Sequence, residues 1–218
     1  MHGISISEFI SHWEALGLDA QARSPWQITQ QCENFVRTIL AKLGPDYQRQ
    51  GDIAIHKTAQ VEDGAVLKGA IVIGPDCFIA AGAYLRGGVF LGSDCIVGPS
   101  CELKSSFMLD RSKLAHFNFV GDSLLGHDVN IEAGAVIANY RNEFAGADIR
   151  ILYGDTIIET GVAKFGALVG DGTRIGANAV VAPGAFLQRG SIVPRLGLVD
   201  QHPGSPESVD RDQVVYAR

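Results

Sequence analysis

The chain has 218 residues, and its 18 Lys and Arg against 24 Asp and Glu give a formal net charge of −6. It contains no cluster of Lys and Arg, which argues against nucleic acid or an anionic membrane surface as the main partner. The sequence also contains no recognisable signal peptide, lipidation motif or long apolar span. We therefore expect a cytoplasmic protein without a membrane partner.

Residues 1–50 carry helical signals. The stretches 5–8 and 24–27 each begin with Ser and have Glu or Gln three residues later, which is the spacing of a capping box. Apolar residues then recur at helical spacing over residues 28–43, and Gly-Pro at 44–45 ends the pattern. We expect this apolar stripe to pack on the rest of the chain or on a second subunit, and to cap the open edge of the first strands.

After residue 50 an aliphatic side chain recurs at every sixth position. The first series consists of Val61, Leu67, Ile73, Ile79, Leu85, Leu91, Val97, Leu103 and Leu109. A period of six fits neither a helix nor a strand but is typical of a solenoid, in which each unit buries its apolar side against its neighbours. The sequence predicts a mainly β fold in which residues 51–195 form stacked coils, residues 1–50 a helical segment and residues 196–218 a C-terminal tail.

The repeat is interrupted twice. The step from Leu109 to Phe119 is ten rather than twelve, so we expect a loop over residues 110–118. From Ile137 to the start of the last series the step is fourteen, which predicts two inserted residues around 140–148. That last series consists of Ile151, Ile157, Ala163, Val169, Ile175, Val181, Leu187 and Val193. Because irregular loops on a rigid scaffold often carry function, both interruptions are candidate sites.

The four cysteines are predicted to be buried, reduced thiols. Cys77, Cys95 and Cys101 occupy the small apolar position of the repeat, and Cys32 lies on the helical stripe. Cysteine commonly serves as a small hydrophobic residue at such positions.

Residues 112–122 resemble the acetyltransferase domain of the bifunctional UDP-N-acetylglucosamine pyrophosphorylase/glucosamine-1-phosphate N-acetyltransferases, which are hexapeptide-repeat transferases. The family pattern is Lys-x-x-His-x-x-Tyr-x-Gly-Asp, and residues 129–134 and 138–140 continue it with Val-Asn-Ile-Glu-Ala-Gly and Ala-Asn-Tyr. The resemblance covers roughly residues 55–195. It implies a left-handed parallel β-helix, a homotrimer, and transfer of an acetyl group from acetyl-CoA to a phosphorylated amino sugar such as glucosamine 1-phosphate.

The resemblance also implies roles for single residues. His116 is implied as the general base, and an imidazole is well suited to accept a proton near neutral pH. Glu102 is a candidate for orienting that imidazole, although an exposed, solvated Glu is a nearly equal alternative. The other implied residues are Arg86, Lys104, Phe119, Asn130, Asn139 and Tyr140 for the sugar phosphate, and Ala133, Ala167 and Ala182 for acetyl-CoA.

The spacing of two of these residues is informative by itself. Arg86 and Lys104 are 18 residues apart, so three six-residue steps place them on successive coils, about 5 Å apart at the backbone. Like charges at that distance are costly unless an anion lies between them. The pattern therefore favours a phosphate-binding role.

Two departures from the family pattern leave the acceptor open. Phe119 stands where the family has Tyr, and Ala145 falls where the family has a Lys, which leaves Arg141 as the nearest cation. In place of glucosamine 1-phosphate, the departures leave open a different amino sugar, a nucleotide sugar or an O-linked acceptor. A non-catalytic sugar-phosphate-binding or scaffold protein is a further alternative.

Two features of related proteins, a pyrophosphorylase activity and a catalytic metal, are not expected. No Gly-rich nucleotidyltransferase motif precedes the repeats, so we expect no pyrophosphorylase activity. The chain also lacks the closely spaced histidines of zinc-dependent enzymes with this fold, so we expect no catalytic metal.

Overall fold

The computed structural model describes residues 4–18, 24–204 and 216–217. Its helices are α1 (Ile6–Phe9), α2 (Pro25–Gln30) and α3 (Cys32–Leu40), with 3₁₀ turns at Trp13–Leu16 and Asn142–Phe144. Its strands are β1 (Tyr47–Gln50), β2 (Ile53–His56), β3 (Gln60–Val61), β4 (Val66–Lys68), β5 (Ile71–Ile73), β6 (Phe78–Ile79), β7 (Tyr84–Leu91), β8 (Ile96–Val97), β9 (Glu102–Met108), β10 (Lys113–Leu114), β11 (Phe119–Gly121), β12 (Leu124–Leu125), β13 (Asn130–Ile131), β14 (Val136–Ile137), β15 (Arg150–Tyr153), β16 (Thr156–Glu159), β17 (Ala167–Val169), β18 (Arg174–Ile175), β19 (Val180–Val181), β20 (Ala185–Leu187), β21 (Ser191–Val193), β22 (Leu198–Val199) and β23 (Tyr216–Ala217).

The strands stack in parallel, one coil above the next. Ile79 pairs with Val97, and Leu85 pairs with Leu103, each eighteen residues further along the chain. Their side chains fill an axial core in which most members are fully buried. Each buried aliphatic side chain contributes about 1.5–3 kcal/mol to folding, so the stack is held mainly by this core. The prediction of a mainly β fold of stacked hexapeptide coils is confirmed.

The coils form a prism with three faces. Face one consists of residues 66–68, 84–86, 102–104, 119–121, 136–137, 180–181 and 198–199. Face two consists of residues 53–55, 71–73, 89–91, 106–108, 124–125, 167–169 and 185–187. Face three consists of residues 60–61, 78–79, 96–97, 113–114, 130–131, 174–175 and 191–193.

The N-terminal helices pack along face two. Their apolar side chains form a second core with outward-facing residues of that face, and Trp13 meets Phe107 with 5.7 Å between ring centroids. The capping box at the start of α2 is present, since the Ser24 N–H donates to Gln27 Oε1 at 3.0 Å. The predicted packing onto the prism is confirmed. The expected cap over the first strands is wrong, because this core runs along the side of the prism.

The first interruption is smaller than predicted. Leu91 pairs with Met108, so Met108 and not Leu109 occupies the axial core, while Leu109 joins the second core. The coil has lost one residue near Ser105, whose φ is +48°. Residues 110–118 are therefore not a loop, because they contain strand β10 in regular register.

A second residue is lost one coil later. Val120 is axial and Phe119 faces outward, so the predicted inward position of Phe119 is wrong. The next axial residue is Leu125, five positions further on, and the turn between them contains Asp122 with φ +46°. Two shortened corners thus account for the missing two residues.

The second interruption is larger than predicted. After Ile137 the next axial residues are Ala167 and Val169, and Val169 pairs with Leu125. The intervening segment leaves the coil and contains the antiparallel hairpin of β15 and β16. Neither Ile151 nor Ile157 lies in the axial core, because both belong to this hairpin. The predicted insertion of two residues is therefore wrong.

Two other regions bear on the predicted organisation. The segment assigned to helices also contains β1, which pairs antiparallel with β2, and the assigned tail contains β22 and β23. The four cysteines are buried and form no disulfide, as predicted. In the described part of the chain, no helix is long and apolar enough to cross a membrane.

Candidate functional site

A cleft opens on face one beside the predicted pair of cations. Arg86 and Lys104 are register partners on successive coils, as their spacing predicts. The cleft has a volume of about 470 Å³. Its lining residues are Arg86, Lys104, Phe119, Asn139, Tyr140 and Lys164. The structure thus brings five of the predicted site residues together and adds one that the sequence did not indicate.

Each of the two predicted cations has its own carboxylate. Arg86 Nε and Nη2 lie 2.7 and 2.6 Å from Glu102 Oε1, and Lys104 Nζ lies 2.8 Å from both carboxylate oxygens of Asp122. The two carboxylates offset the repulsion between Arg86 and Lys104, so the expectation that an anion must separate them is wrong. Glu102 binds Arg86, and no contact between Glu102 and His116 is seen among the described residues.

Asp122 organises the floor of the cleft. Its side chain is 8% exposed, while that of Lys104 is 17% exposed. The Asn139 side-chain amide also donates to Asp122, and the Asp122 carbonyl accepts from the Gly166 N–H at 2.9 Å. One buried carboxylate therefore fixes Lys104 and Asn139 relative to each other. Its position in the Gly-Asp pair at 121–122 was visible in the sequence, but its partners were not.

Lys164 is the lining residue that the sequence did not predict. It follows the hairpin of β15 and β16, and the neighbouring Phe165 N–H donates to the Asn139 carbonyl at 3.1 Å. Lys164 is exposed and makes no hydrogen bond or ion pair with another described residue. With three cations and two carboxylates, the cleft carries a net positive charge. A spare cation next to two fixed ones suits an anionic ligand.

Arg141, the cation expected near the acceptor, does not line the cleft. Its guanidinium is buried and pairs with Asp200 and Glu143, and Nη2 also donates to the Pro183 carbonyl at 3.1 Å. The expectation for Arg141 is therefore wrong, and Lys164 provides the cation instead. Its neighbour Tyr140 does face the cleft, and the Tyr140 hydroxyl accepts from the Gly146 N–H at 3.0 Å.

His116 lies at the corner between faces three and one. Its carbonyl accepts from the Gly134 N–H at 2.9 Å, which stacks the corner containing Ala133 directly on that of His116. The imidazole is exposed and forms no hydrogen bond with another described residue. The predicted base and one predicted acetyl-CoA residue are therefore neighbours, but His116 does not line the cleft of its own chain.

Three further predicted residues lie elsewhere. Asn130 is on face three, between Lys113 and Arg174. Ala167 is buried in the axial core, and Ala182 is buried on face one beside the last coil. None of the three lines the cleft. Across residues 4–18 and 24–204, no group of three or more His, Cys, Asp or Glu side chains could hold a metal ion.

Comparisons with known proteins show similarity to hexapeptide-repeat transferases. Residues 70–105 match the family model described as bacterial transferase hexapeptide (six repeats). A bifunctional sugar-1-phosphate nucleotidylyltransferase/acetyltransferase of Sulfurisphaera tokodaii is 29% identical over 188 residues, which are 84% of this chain and 45% of that protein. A bifunctional protein GlmU of Methanococcus maripaludis (strain C7) is 30% identical over 224 residues, which are 100% of this chain and 50% of that protein.

The chain spans about half the length of the curated relatives it matches. Among solved structures, the acetyltransferase domain of PglB from Neisseria gonorrhoeae FA1090 aligns with a TM-score of 0.41 at 18% identity, over 82% of this chain and 72% of that one. The predicted resemblance to hexapeptide-repeat acetyltransferase domains is confirmed by the family model and the curated relatives.

Proposed function

We propose that this chain, whose residues 70–105 match the family model for bacterial transferase hexapeptide repeats, is an acyl-CoA-dependent acyltransferase. We infer that it acetylates a phosphorylated amino sugar such as glucosamine 1-phosphate, with acetyl-CoA as the donor. The observation that carries this proposal is the convergence of Arg86, Lys104 and Lys164 on one cleft. One curated relative is named a bifunctional sugar-1-phosphate nucleotidylyltransferase/acetyltransferase, and the second of these two activities agrees with the proposal.

The cleft suits a sugar phosphate in two ways. Lys164 offers an ammonium without a carboxylate partner among the described residues, and Lys104 is held in place by Asp122. A phosphate oxygen bound by such cations forms charge-assisted hydrogen bonds, which contribute about 1.5–3 kcal/mol each. Asn139 and Tyr140 add polar groups that can bind sugar hydroxyls.

His116 is proposed as the general base. The acceptor amine attacks the thioester carbonyl carbon, a C–N bond forms, and the C–S bond breaks. The imidazole accepts the proton that the amine loses and then gives it to the departing thiolate sulfur, so that free CoA leaves as a thiol. The exposed imidazole has no competing partner among the described residues, which leaves it able to carry out both transfers.

We propose a homotrimer with His116 near the subunit boundary and the donor slot between neighbouring copies. Phe117, next to His116, is a largely exposed aromatic residue, and Val180 and Leu198 on face one are exposed as well. Contact surfaces between subunits are built from exposed apolar side chains, and these three are available to contribute to one. His116 of the same chain does not line the cleft. A neighbouring copy packed on face one would therefore add residues of its own to the cleft.

The test is the release of CoA thiol from acetyl-CoA in the presence of glucosamine 1-phosphate. The four cysteines are buried, so a thiol reagent reports mainly the product. His116→Ala should lower kcat by about 10²–10⁴-fold. His56→Ala is the matched control, because His56 lies in β2, outside the cleft, where its imidazole contacts Thr58 and the ring of Tyr47; it should leave kcat unchanged.

Three outcomes would contradict parts of this proposal. Thiol release by His116→Ala at the wild-type rate would show that His116 is not the base. A nucleotide-linked amino sugar that reacts faster than the sugar phosphate would change the acceptor class. Thermal stabilisation of the wild type by the sugar phosphate, without release of thiol from acetyl-CoA, would identify a binding protein and not an enzyme.

A further inference from the structure

The N-terminal helices pack on residues that adjoin the cleft. Trp26 in α2 contacts Phe165, the residue that follows Lys164, with 5.9 Å between the ring centroids and an interplanar angle of 70°. Both rings belong to the second core, where Phe165 is fully buried and Trp26 is nearly so. The backbone that carries the Lys164 side chain to the cleft is therefore anchored, one residue further on, against a helix.

The main chain after Lys164 is tightly held. The Phe165 N–H donates to the Asn139 carbonyl at 3.1 Å, and the Gly166 N–H donates to the Asp122 carbonyl at 2.9 Å. A Cβ atom added to Gly166 would clash with a backbone carbonyl of the preceding coil. Residues 165–166 therefore have little room to move, and their position sets where the stem of Lys164 begins.

The same helical segment also contacts the other side of the cleft. The Cys32 thiol, at the start of α3, donates to the Gly88 carbonyl at 3.0 Å. A Cβ atom on Gly88 would lie 2.5 Å from the Glu33 backbone nitrogen, so the helix rests directly on the main chain there. Gly88 belongs to an irregularity that interrupts β7 immediately after Arg86. Helices α2 and α3 thus touch the chain beside Arg86 and the chain beside Lys164.

Lys164 depends on its backbone for its position. Arg86 and Lys104 are each paired with a carboxylate, whereas no hydrogen bond or ion pair to another described residue holds the Lys164 ammonium. A lysine is a point charge on a flexible stem, so the space that its ammonium can reach is set by the place of its Cα atom. A displacement of about 1 Å is enough to weaken a positioned contact with a ligand.

We propose that Trp26 is a positioning residue for the acceptor: by packing on Phe165, it holds Lys164 at the distance from the other two cations of the cleft that a sugar phosphate spans. This inference rests on the proposed function and gives the helical segment a part in acceptor binding. Trp26 itself does not line the cleft. It therefore touches no substrate and acts through the residue that follows Lys164.

The test removes or keeps the ring at residue 26. Trp26→Leu retains an apolar side chain but loses the aromatic contact with Phe165, and it should raise the KM for glucosamine 1-phosphate about three- to tenfold. The kcat and the KM for acetyl-CoA should not change. Trp26→Phe keeps a ring and should restore the KM to within about twofold of the wild type. Phe165→Leu removes the other ring of the pair and should raise the same KM, so the test does not depend on the folding of one variant.

Trp13→Leu is the matched control. Trp13 is also buried in the second core, but it packs on Phe107, and neither residue lines the cleft. Loss of a large buried ring should lower the melting temperature of both leucine variants, by about 10 °C. Only Trp26→Leu should raise the KM for the sugar phosphate, which a merely structural role would not do.

A double-mutant cycle tests whether Trp26 acts through Lys164. Because the effect of Trp26 requires the Lys164 ammonium, Trp26→Leu should raise the KM no further when it is combined with Lys164→Ala. Wild-type affinity in Trp26→Leu would overturn the inference, and so would an equal rise in Trp13→Leu. Additive effects in the cycle would show that Trp26 acts through a residue other than Lys164.

Calorimetric titration with glucosamine 1-phosphate separates this inference from the proposed function, because it requires no turnover. If the wild type binds the sugar phosphate but releases no thiol from acetyl-CoA, the proposed function fails, and weaker binding by Trp26→Leu still supports the inference. If the wild type is active and Trp26→Leu binds the sugar phosphate equally tightly, the inference fails and the proposed function stands.

Discussion

Two cations near the end of β14, Arg141 and Lys164, have opposite environments. The Arg141 guanidinium is buried among Asp200, Glu143 and the Pro183 carbonyl. The Lys164 ammonium is exposed at the cleft and has no partner among the described residues. A cation surrounded by acceptors stabilises the packing around it, whereas one left open can take an anion from solvent. The number of partners, and not the charge, separates the structural cation from the candidate binding residue.

The largest effect is expected at the buried cation. Arg141→Met should lower the free energy of unfolding by about 3–5 kcal/mol, because it leaves Asp200 poorly solvated and without this partner. Urea denaturation measures the change. Lys57→Ala is the control, since it removes a lysine whose pair with Asp46 is exposed, and it should cause no measurable change. Equal urea midpoints for Arg141→Met and the wild type would show that Arg141 does not stabilise the fold, which contradicts its assignment as a structural cation.

The opposite result is expected at the open cation. Lys164→Ala should raise the KM for the sugar phosphate about ten- to hundredfold, since it removes one charge-assisted hydrogen bond. The melting temperature and the KM for acetyl-CoA should stay at their wild-type values. Steady-state kinetics with Lys57→Ala as the charge control tests this. A loss of stability with an unchanged KM would make Lys164 a structural residue like Arg141.

A smaller effect is expected from the aromatic residue in the same cleft. Phe119→Tyr adds a hydroxyl to a lining side chain and should lower the KM for the sugar phosphate two- to tenfold, roughly the effect of one neutral hydrogen bond. Phe119→Leu serves as the control that lacks the hydroxyl. Identical KM values for the Phe and Tyr enzymes would show that the acceptor does not reach this position.

The smallest effect is expected from His202, beside the buried cation. Desolvation, and then the charge of Arg141, lower the pKa of this imidazole, which stacks on Phe144 at 4.7 Å. The unfolded chain therefore binds more protons, so stability should fall as the pH drops below the ordinary value of about 6.5. His202→Gln should flatten this part of the stability profile, measured by urea denaturation between pH 7 and 5. An unchanged profile would contradict the assignment.

The period of six predicts the prism well, because burial of one side chain per six residues is a strictly local rule. It also predicts that Arg86 and Lys104 stack on successive coils. The same rule fails where the chain leaves the coil, since counting in sixes does not reveal how long an insertion is. A count in sixes therefore predicts an axial position for Ile151 and gives no indication that Lys164 lines the cleft.

The contacts within the candidate site depend on partners distant in sequence. Nothing near Arg141 in the sequence indicates that Asp200 will bury it, and nothing near Lys104 indicates that Asp122 will hold it. Met108 takes the axial position predicted for Leu109 because the coil is one residue shorter at Ser105. A count in sixes places the missing residues after Leu109 instead. Residue types were therefore predictable, and their pairing was not.

The central claim is that the cleft binds the phosphate group of the acceptor. The most direct test compares acetyl transfer by the wild type to glucosamine 1-phosphate and to glucosamine. The cations at the cleft predict a kcat/KM about a hundredfold higher for the phosphorylated sugar. Lys164→Ala should narrow that ratio. Equal kcat/KM values for the two sugars would contradict the account.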